Sequence, residues 1–94
     1  MAVKTVKPKS GKKEVFGAII DERFYQDQKH GYGGHELATW LLLMESELEE
    51  AKRAVVKGGS GRDSALSEIT QVAALCVAAL EQFGLQAETS GRMI

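Results

Sequence analysis

The sequence predicts an all-α fold, and three observations carry that reading. Apolar residues recur at helical spacing through three long segments. No segment alternates apolar and polar residues convincingly, as a half-buried strand does. Two glycine-rich stretches, "HGYGGH" (30–35) and "KGGSGRD" (57–63), separate the three segments. At 94 residues the chain has room for one small core and no second.

The first helix is expected over roughly 14–29. One stripe carries Val15, Ala18, Ile19, Glu22, Tyr25, Gln26 and Lys29, and an opposite stripe carries Phe16, Ile20 and Phe24. A helix apolar on two sides wants two neighbours. The second is expected over 36–57, ending with Lys57 beside the helix C-terminus and Gly58 beyond it. The third is expected to start with Asp63 or Ser64 as N-cap and to run to Phe83. From Ile69 to Leu80 it reads "ITQVAALCVAAL", apolar almost all round, so it must be covered on most sides. Two other helices of so short a chain can hardly do that, so a second copy is expected to supply the rest, as homodimer or homotetramer. The domain is therefore placed at 14–84, with a disordered basic tail at 1–13 and a C-terminal tail at 85–94.

Bulk properties exclude several function classes. A net charge of −1 gives no electrostatic case for nucleic acid or an anionic membrane, and five lysines scattered through "MAVKTVKPKSGKK" add little to it. Cys76 is the single cysteine, so no intrachain disulfide forms; a buried thiol in a reducing compartment is expected. No uninterrupted apolar run approaches the ~20 residues of a membrane span, and the N-terminus lacks an apolar signal region. A cytoplasmic protein without a membrane partner is the expectation. No phosphate-binding glycine loop, nucleophile elbow or CxxC pair is present.

The informative conflict lies in "WLLLMESELEE" (40–50). At about 100° per residue, Trp40, Leu43, Met44, Ala51 and Ala54 all fall within about 60° of Glu47, and Glu50 lies one turn along. Glu45 and Glu49 face the other way with Lys52, and Glu49 stands four before Arg53 as a surface pair. On the third helix Glu68 shares a face with Ala65, Val72, Leu75 and Ala79, and Gln71 follows one turn later. Two helices thus each present a polar pair on an apolar face. An unpartnered buried carboxylate costs several kcal/mol, so these groups must be paired, protonated or bound to a cation. Facing each other, three glutamates and an amide suit a hard cation such as Mg²⁺. The alternative is a structural network with Arg23, Lys29 or Arg53, or a position at the bundle edge.

These residues also carry a family resemblance. "DERFYQDQKHG" (21–31), "TWLLLMESELEEA" (39–51) and "ALSEITQVAALCVAALE" (65–81) resemble the MazG-like, all-α nucleoside triphosphate pyrophosphohydrolases, over about residues 15–83. The family's EExxE motif aligns with Ser46-Glu47-Leu48-Glu49-Glu50 and its ExxD motif with Glu68-Ile69-Thr70-Gln71. Glu22, Arg23, Gln26, Asp27 and Lys29 match the "ERxxQDxKxG" opening of one subgroup. The resemblance implies three helices per chain joined by oligomerisation into a four-helix-bundle-type assembly. It implies hydrolysis of an NTP or dNTP to the monophosphate and pyrophosphate, with house-cleaning of a non-standard nucleotide as one use. It makes Glu47, Glu50 and Glu68 the catalytic ligands of Mg²⁺, or Mn²⁺ in its place, with Gln71 in the fourth metal position. Substrate contacts fall to Lys29, Arg23 and Glu22, with Arg53 a further cation, and to Trp40 or Tyr32 for stacking on the base, although a core position suits Trp40 better.

The sequence departs from the pattern at Ser46 and at Gln71. The amide keeps an oxygen donor but removes a full negative charge, which lowers metal affinity and disfavours a second ion. Two competing functions follow: a catalytically weakened module that binds nucleotide or metal, and a purely structural helical oligomer. His30 and His35 flank "GYGG" and read as exposed loop residues, with a metal pair or catalytic acid the sharper alternative.

Overall fold

The computed structural model describes residues 6–31 and 33–85. Three helices fill them: α1 (Lys12–His30), α2 (Leu37–Lys57) and α3 (Gly61–Phe83). The expected all-α class is therefore observed, with no strand among the described residues.

α1 starts two residues before the expected position. The Glu14 carboxylate accepts a hydrogen bond from the Gly11 backbone N–H at 3.0 Å, closing the helix start so that Lys12 and Lys13 belong to the helix rather than to the tail. Residues 1–5 and 86–94, most of the two expected tails, lie outside the described residues. α1 ends where Gly31 takes φ 77° and donates its N–H to the Asp27 carbonyl at 2.7 Å, a backbone turn that a side chain would strain.

The start of α3 corrects the expectation of an Asp63 or Ser64 cap. Gly58 and Gly59 both take positive φ and reverse the chain at once, so Ser60 is the N-cap and Gly61 the first helical residue. Gly61 is buried there because α2 presses on it: a Cβ would run into the Ala54 backbone carbonyl. Asp63 sits in the first turn, where its charge favours the helix N-terminus.

α3 is the central element. It packs along α2 and, less extensively, against α1, while α1 and α2 do not meet. An open cleft between α1 and α2 results, floored by α3. α3 is also long and apolar enough to cross a membrane by length and composition, which its lack of a continuous apolar run concealed. Its alanines explain the composition differently: Ala65, Ala74, Ala78 and Ala79 are buried at helix contacts. The remaining buried apolar residues are Trp40 and Ala51 of α2, and Met44 and Leu75 pack against the Trp40–Ala78–Ala79 cluster.

So small a core leaves much apolar surface open. The stripe Phe16, Ile20 and Phe24 of α1 is exposed, Phe24 by 63%, so of the two neighbours that helix was expected to need only α3 is present. Leu41, Leu48 and Val55 of α2 and Leu66, Ile69, Leu80 and Phe83 of α3 are likewise about half exposed.

Candidate metal centre

The helical-wheel reading of α2 and α3 is realised except at Leu43, which is exposed beside the cleft, and Glu50, which is exposed at the edge. Trp40 and Ala51 on the Glu47 face are buried and Met44 and Ala54 half-buried; on the Glu68 face Ala65 and Ala79 are buried and Val72 and Leu75 half-buried. Packing these faces together brings one carboxylate oxygen each of Glu47, Glu50 and Glu68 within 4.8 Å of one another. Glu47 and Glu68 are half-buried and Glu50 is exposed at the edge.

This arrangement is electrostatically incomplete. Glu68 Oε2 is buried and accepts no hydrogen bond from the protein. Glu47 is pushed up to about 7 by a hydrogen bond with Glu68 that requires a proton between them, by burial, and by the negative charges of Glu68, Glu50 and Glu22. With both groups ionised that bond disappears, and Glu68 Oε2 has no donor from the protein. Among the described residues no lysine or arginine pairs with any of the three. Arg23, one proposed partner, instead bonds Asp27 at 2.9 Å and Glu81 at 2.7 Å. The Lys29 ammonium lies 5.7 Å from the Tyr25 ring centroid. The structural network with Arg23 or Lys29 is therefore not formed within the chain. All-oxygen donors, one of them buried without a partner, fit a hard divalent cation.

The surface charges differ in detail from expectation. Glu49 pairs with Lys52 at 2.9 Å rather than with Arg53, and Lys52, by hydrogen bond and charge, holds its carboxyl below the usual range. Arg53 lines a separate hollow at the α2–α3 turn, away from the cleft.

Of the three carboxylates Glu47 lines a cavity of about 900 Å³ in the cleft between α1 and α2, while Glu50 faces the hollow that Arg53 lines and Glu68 lies behind Glu47. The cavity collects most of the other expected site residues. Glu22, Arg23 and Lys29 line it from α1, Trp40, Ser46 and Glu47 from α2, and Gln71 from α3. Two roles change. Arg23 is a tie between α1 and α3, since Glu81 and Asp27 hold its guanidinium, so Lys29 is the better placed cation for an anionic ligand. Burial alone would lower the Arg23 pKa, but hydrogen bonds and charges from Glu81 and Asp27 outweigh it and raise the pKa. Trp40 is a fixed wall, 7% exposed, with its indole N–H donating to Gln82 Oε1 at 2.6 Å. Tyr32 lies outside the described residues. His30 and His35 are exposed on the cavity rim and do not join the carboxylates.

No family model, curated protein or solved structure matches this chain. The site must be judged on its own chemistry.

Sequence reasoning missed Gln82, Glu81 and Asp27 as cavity residues. Asp27 stands four residues after Arg23, the spacing of a helical ion pair, and that signal was available; Glu81 shows none beyond being charged. Gln82 reaches partners 42 and 47 residues away, a relation that periodicity along one helix does not contain.

Proposed function

We propose that the chain is a Mg²⁺-dependent nucleoside triphosphate pyrophosphohydrolase, hydrolysing an NTP or dNTP to the monophosphate and pyrophosphate. The observation that carries this reading is the orphaned Glu68 Oε2 grouped with Glu50 and with Glu47, which lines a cavity large enough for a nucleotide. Glu47, Glu50 and Glu68 hold the ion, with the Gln71 carbonyl as a neutral fourth oxygen; Mn²⁺ fits the same donors. When bound, the ion neutralises charge on the phosphoryl oxygens and lowers the pKa of a bound water. Lys29 binds phosphate at the α1 side, and the Trp40 wall bounds the opposite part of the cavity.

A second reading rests on Gln71, which lines the cavity where an aspartate would add charge. A chain that binds metal and nucleotide without useful turnover fits the same geometry. A second copy of the chain completes the fold in either case, covering the open stripes of α2 and α3, and Cys76, half-buried beside Met44, suits a reducing cytoplasm.

Two measurements decide among these. At ten times its dissociation constant, an ion bound only to the folded chain adds about 1.4 kcal/mol, a rise of several degrees in midpoint at this size. Mg²⁺ or Mn²⁺ is expected to raise the midpoint of the wild type but not of Glu47→Gln; an equal or absent shift in both rejects the metal centre. Pyrophosphate release from a panel of NTPs and dNTPs then separates the enzyme from the binding module.

A further inference from the structure

Gln82 makes three hydrogen bonds with one side-chain amide. Its Oε1 accepts from the Trp40 indole at 2.6 Å and from the His35 backbone N–H at 3.0 Å, while its Nε2 donates to the His35 carbonyl at 2.7 Å. Both oxygen lone pairs and one amide hydrogen are thereby used. Gripping both backbone groups of one residue, the amide acts as a neighbouring strand would. Gly34 lies against it so closely that a Cβ would stand 2.8 Å from Oε1. The His35 ring meets the Trp40 ring edge-on, centroids 4.8 Å apart at 84°. Gly33, Gly34, His35, Trp40 and Gln82 all line the cavity.

This lock stands at a defined distance from the carboxylates. Glu68, Gln71, Leu75, Ala78 and Gln82 recur at three- and four-residue steps, so they form one stripe down α3. Fourteen residues separate Glu68 from Gln82, about 21 Å along the helix. The stripe is acidic at one end and apolar in the middle, and it ends at the amide lock; its Gln71, Leu75, Ala78 and Gln82 line the cavity. An extended nucleotide has a matching polarity, with an anionic metal-binding head and a flat heteroaromatic end.

We infer that Gln82 is a positioning residue: by fixing the His35 backbone and the Trp40 indole where they line the cavity, it sets which nucleobase fits there. The inference rests on the nucleotide reading given above. Gln82 acts through the wall it holds, because its acceptors and one of its two amide hydrogens are already engaged.

The test compares wild type, Gln82→Leu and Gln82→Glu. Each is titrated calorimetrically with Mg²⁺ and non-hydrolysable α,β-methylene analogues of the purine and pyrimidine nucleoside triphosphates. Emission of Trp40, the sole tryptophan, reports the state of the wall. The wild type is expected to prefer one base by about tenfold or more, the range that pocket shape supplies. Gln82→Leu is expected to lose that preference, with shifted Trp40 emission and an unchanged midpoint rise on adding Mg²⁺ alone. Gln82→Glu keeps the acceptors for Trp40 and for the His35 N–H but loses the donor to the His35 carbonyl, so it retains part of the preference. It carries the test alone if Gln82→Leu does not fold. A wild-type preference that survives in both variants, or a wild type that binds every base alike, overturns the inference and leaves the nucleotide site standing. A wild type that binds none of the analogues overturns the nucleotide reading and this inference together.

Discussion

Glu47 is a carboxylic acid placed among three other carboxylates and an apolar helix face, and its titration is the property that separates a metal centre from an ordinary acidic edge. In the folded chain its pKa is about 7 against an ordinary 4.5. The folded state therefore holds a proton that the unfolded state releases between those values. Metal-free stability from this group is full below about 4.5 and is lost as pH rises to about 7, with no further change above. Urea midpoints of wild type and Glu47→Gln across that window are expected to diverge, the wild type falling while the variant stays flat; parallel curves refute the shared-proton site. Mg²⁺ binding near pH 6 should expel that proton, which calorimetry in two buffers of different ionisation enthalpy detects. Gln71 gives a second residue-scale prediction. Gln71→Asp restores a charge to the donor set, so Mg²⁺ affinity is expected to rise about tenfold, the equivalent of one modest charge contact. If affinity does not change, Gln71 does not face the ion.

At the scale of the helices, the inner faces of α2 and α3 were readable because burial follows the 3.6-residue repeat, and the placement of Glu47 beside Trp40 and Ala51 is a property of one helix alone. What joins one helix to another was not readable. Arg23 could have met any of several carboxylates; only the packing of α1 on α3 selects Glu81. The Gln82 lock likewise depends on where a glycine-rich connection lands. α1 starts two residues before its expected position because the Glu14 carboxylate closes on the Gly11 N–H, and the α3 cap falls three residues or more before the side chains sought because Gly58 and Gly59 turn the chain. Gly61 shows how tightly such a turn couples to packing. Its missing side chain lets the first turn of α3 sit on the Ala54 carbonyl, the join that sets the α2–α3 crossing and hence the meeting of Glu50 with Glu68. Gly61→Ala, although a better helix former, is expected to destabilise the chain by about 1–3 kcal/mol through that overlap. It should also weaken the Mg²⁺-induced midpoint rise. A variant as stable as wild type would show that the helices have room to part.

Among the described residues the molecule buries alanines and one tryptophan while leaving most large apolar side chains open, which is an unusual balance for a molecule that stands alone. The open residues are ordered rather than scattered. Leu41, Leu48 and Val55 follow one another at seven-residue steps on α2, and Leu66, Ile69, Val77 and Leu80 at three-, eight- and three-residue steps on α3. At on the order of 80 Å² for each half-exposed side chain, the two stripes supply about two thirds of the ~800 Å² per partner of a standard interface. A self-complementary stripe on antiparallel helices favours a two-fold pair, in which each copy lends α2 and α3 to a four-helix core. The same composition lets α3 pass as a membrane span, and charge placed on its open stripe distinguishes the two. The wild type is expected to sediment without detergent at about twice the 10.2 kDa chain mass. Ile69→Lys with Leu80→Lys puts two ammonium groups into the proposed seam and is expected to shift the protein to monomer with a lower midpoint. Phe16→Lys on the α1 stripe, outside that seam, should leave the dimer intact. Were Phe16→Lys to dissociate the pair while the α3 variant held together, the copies would meet through α1, and the cleft between α1 and α2 would lie against the interface rather than open to substrate.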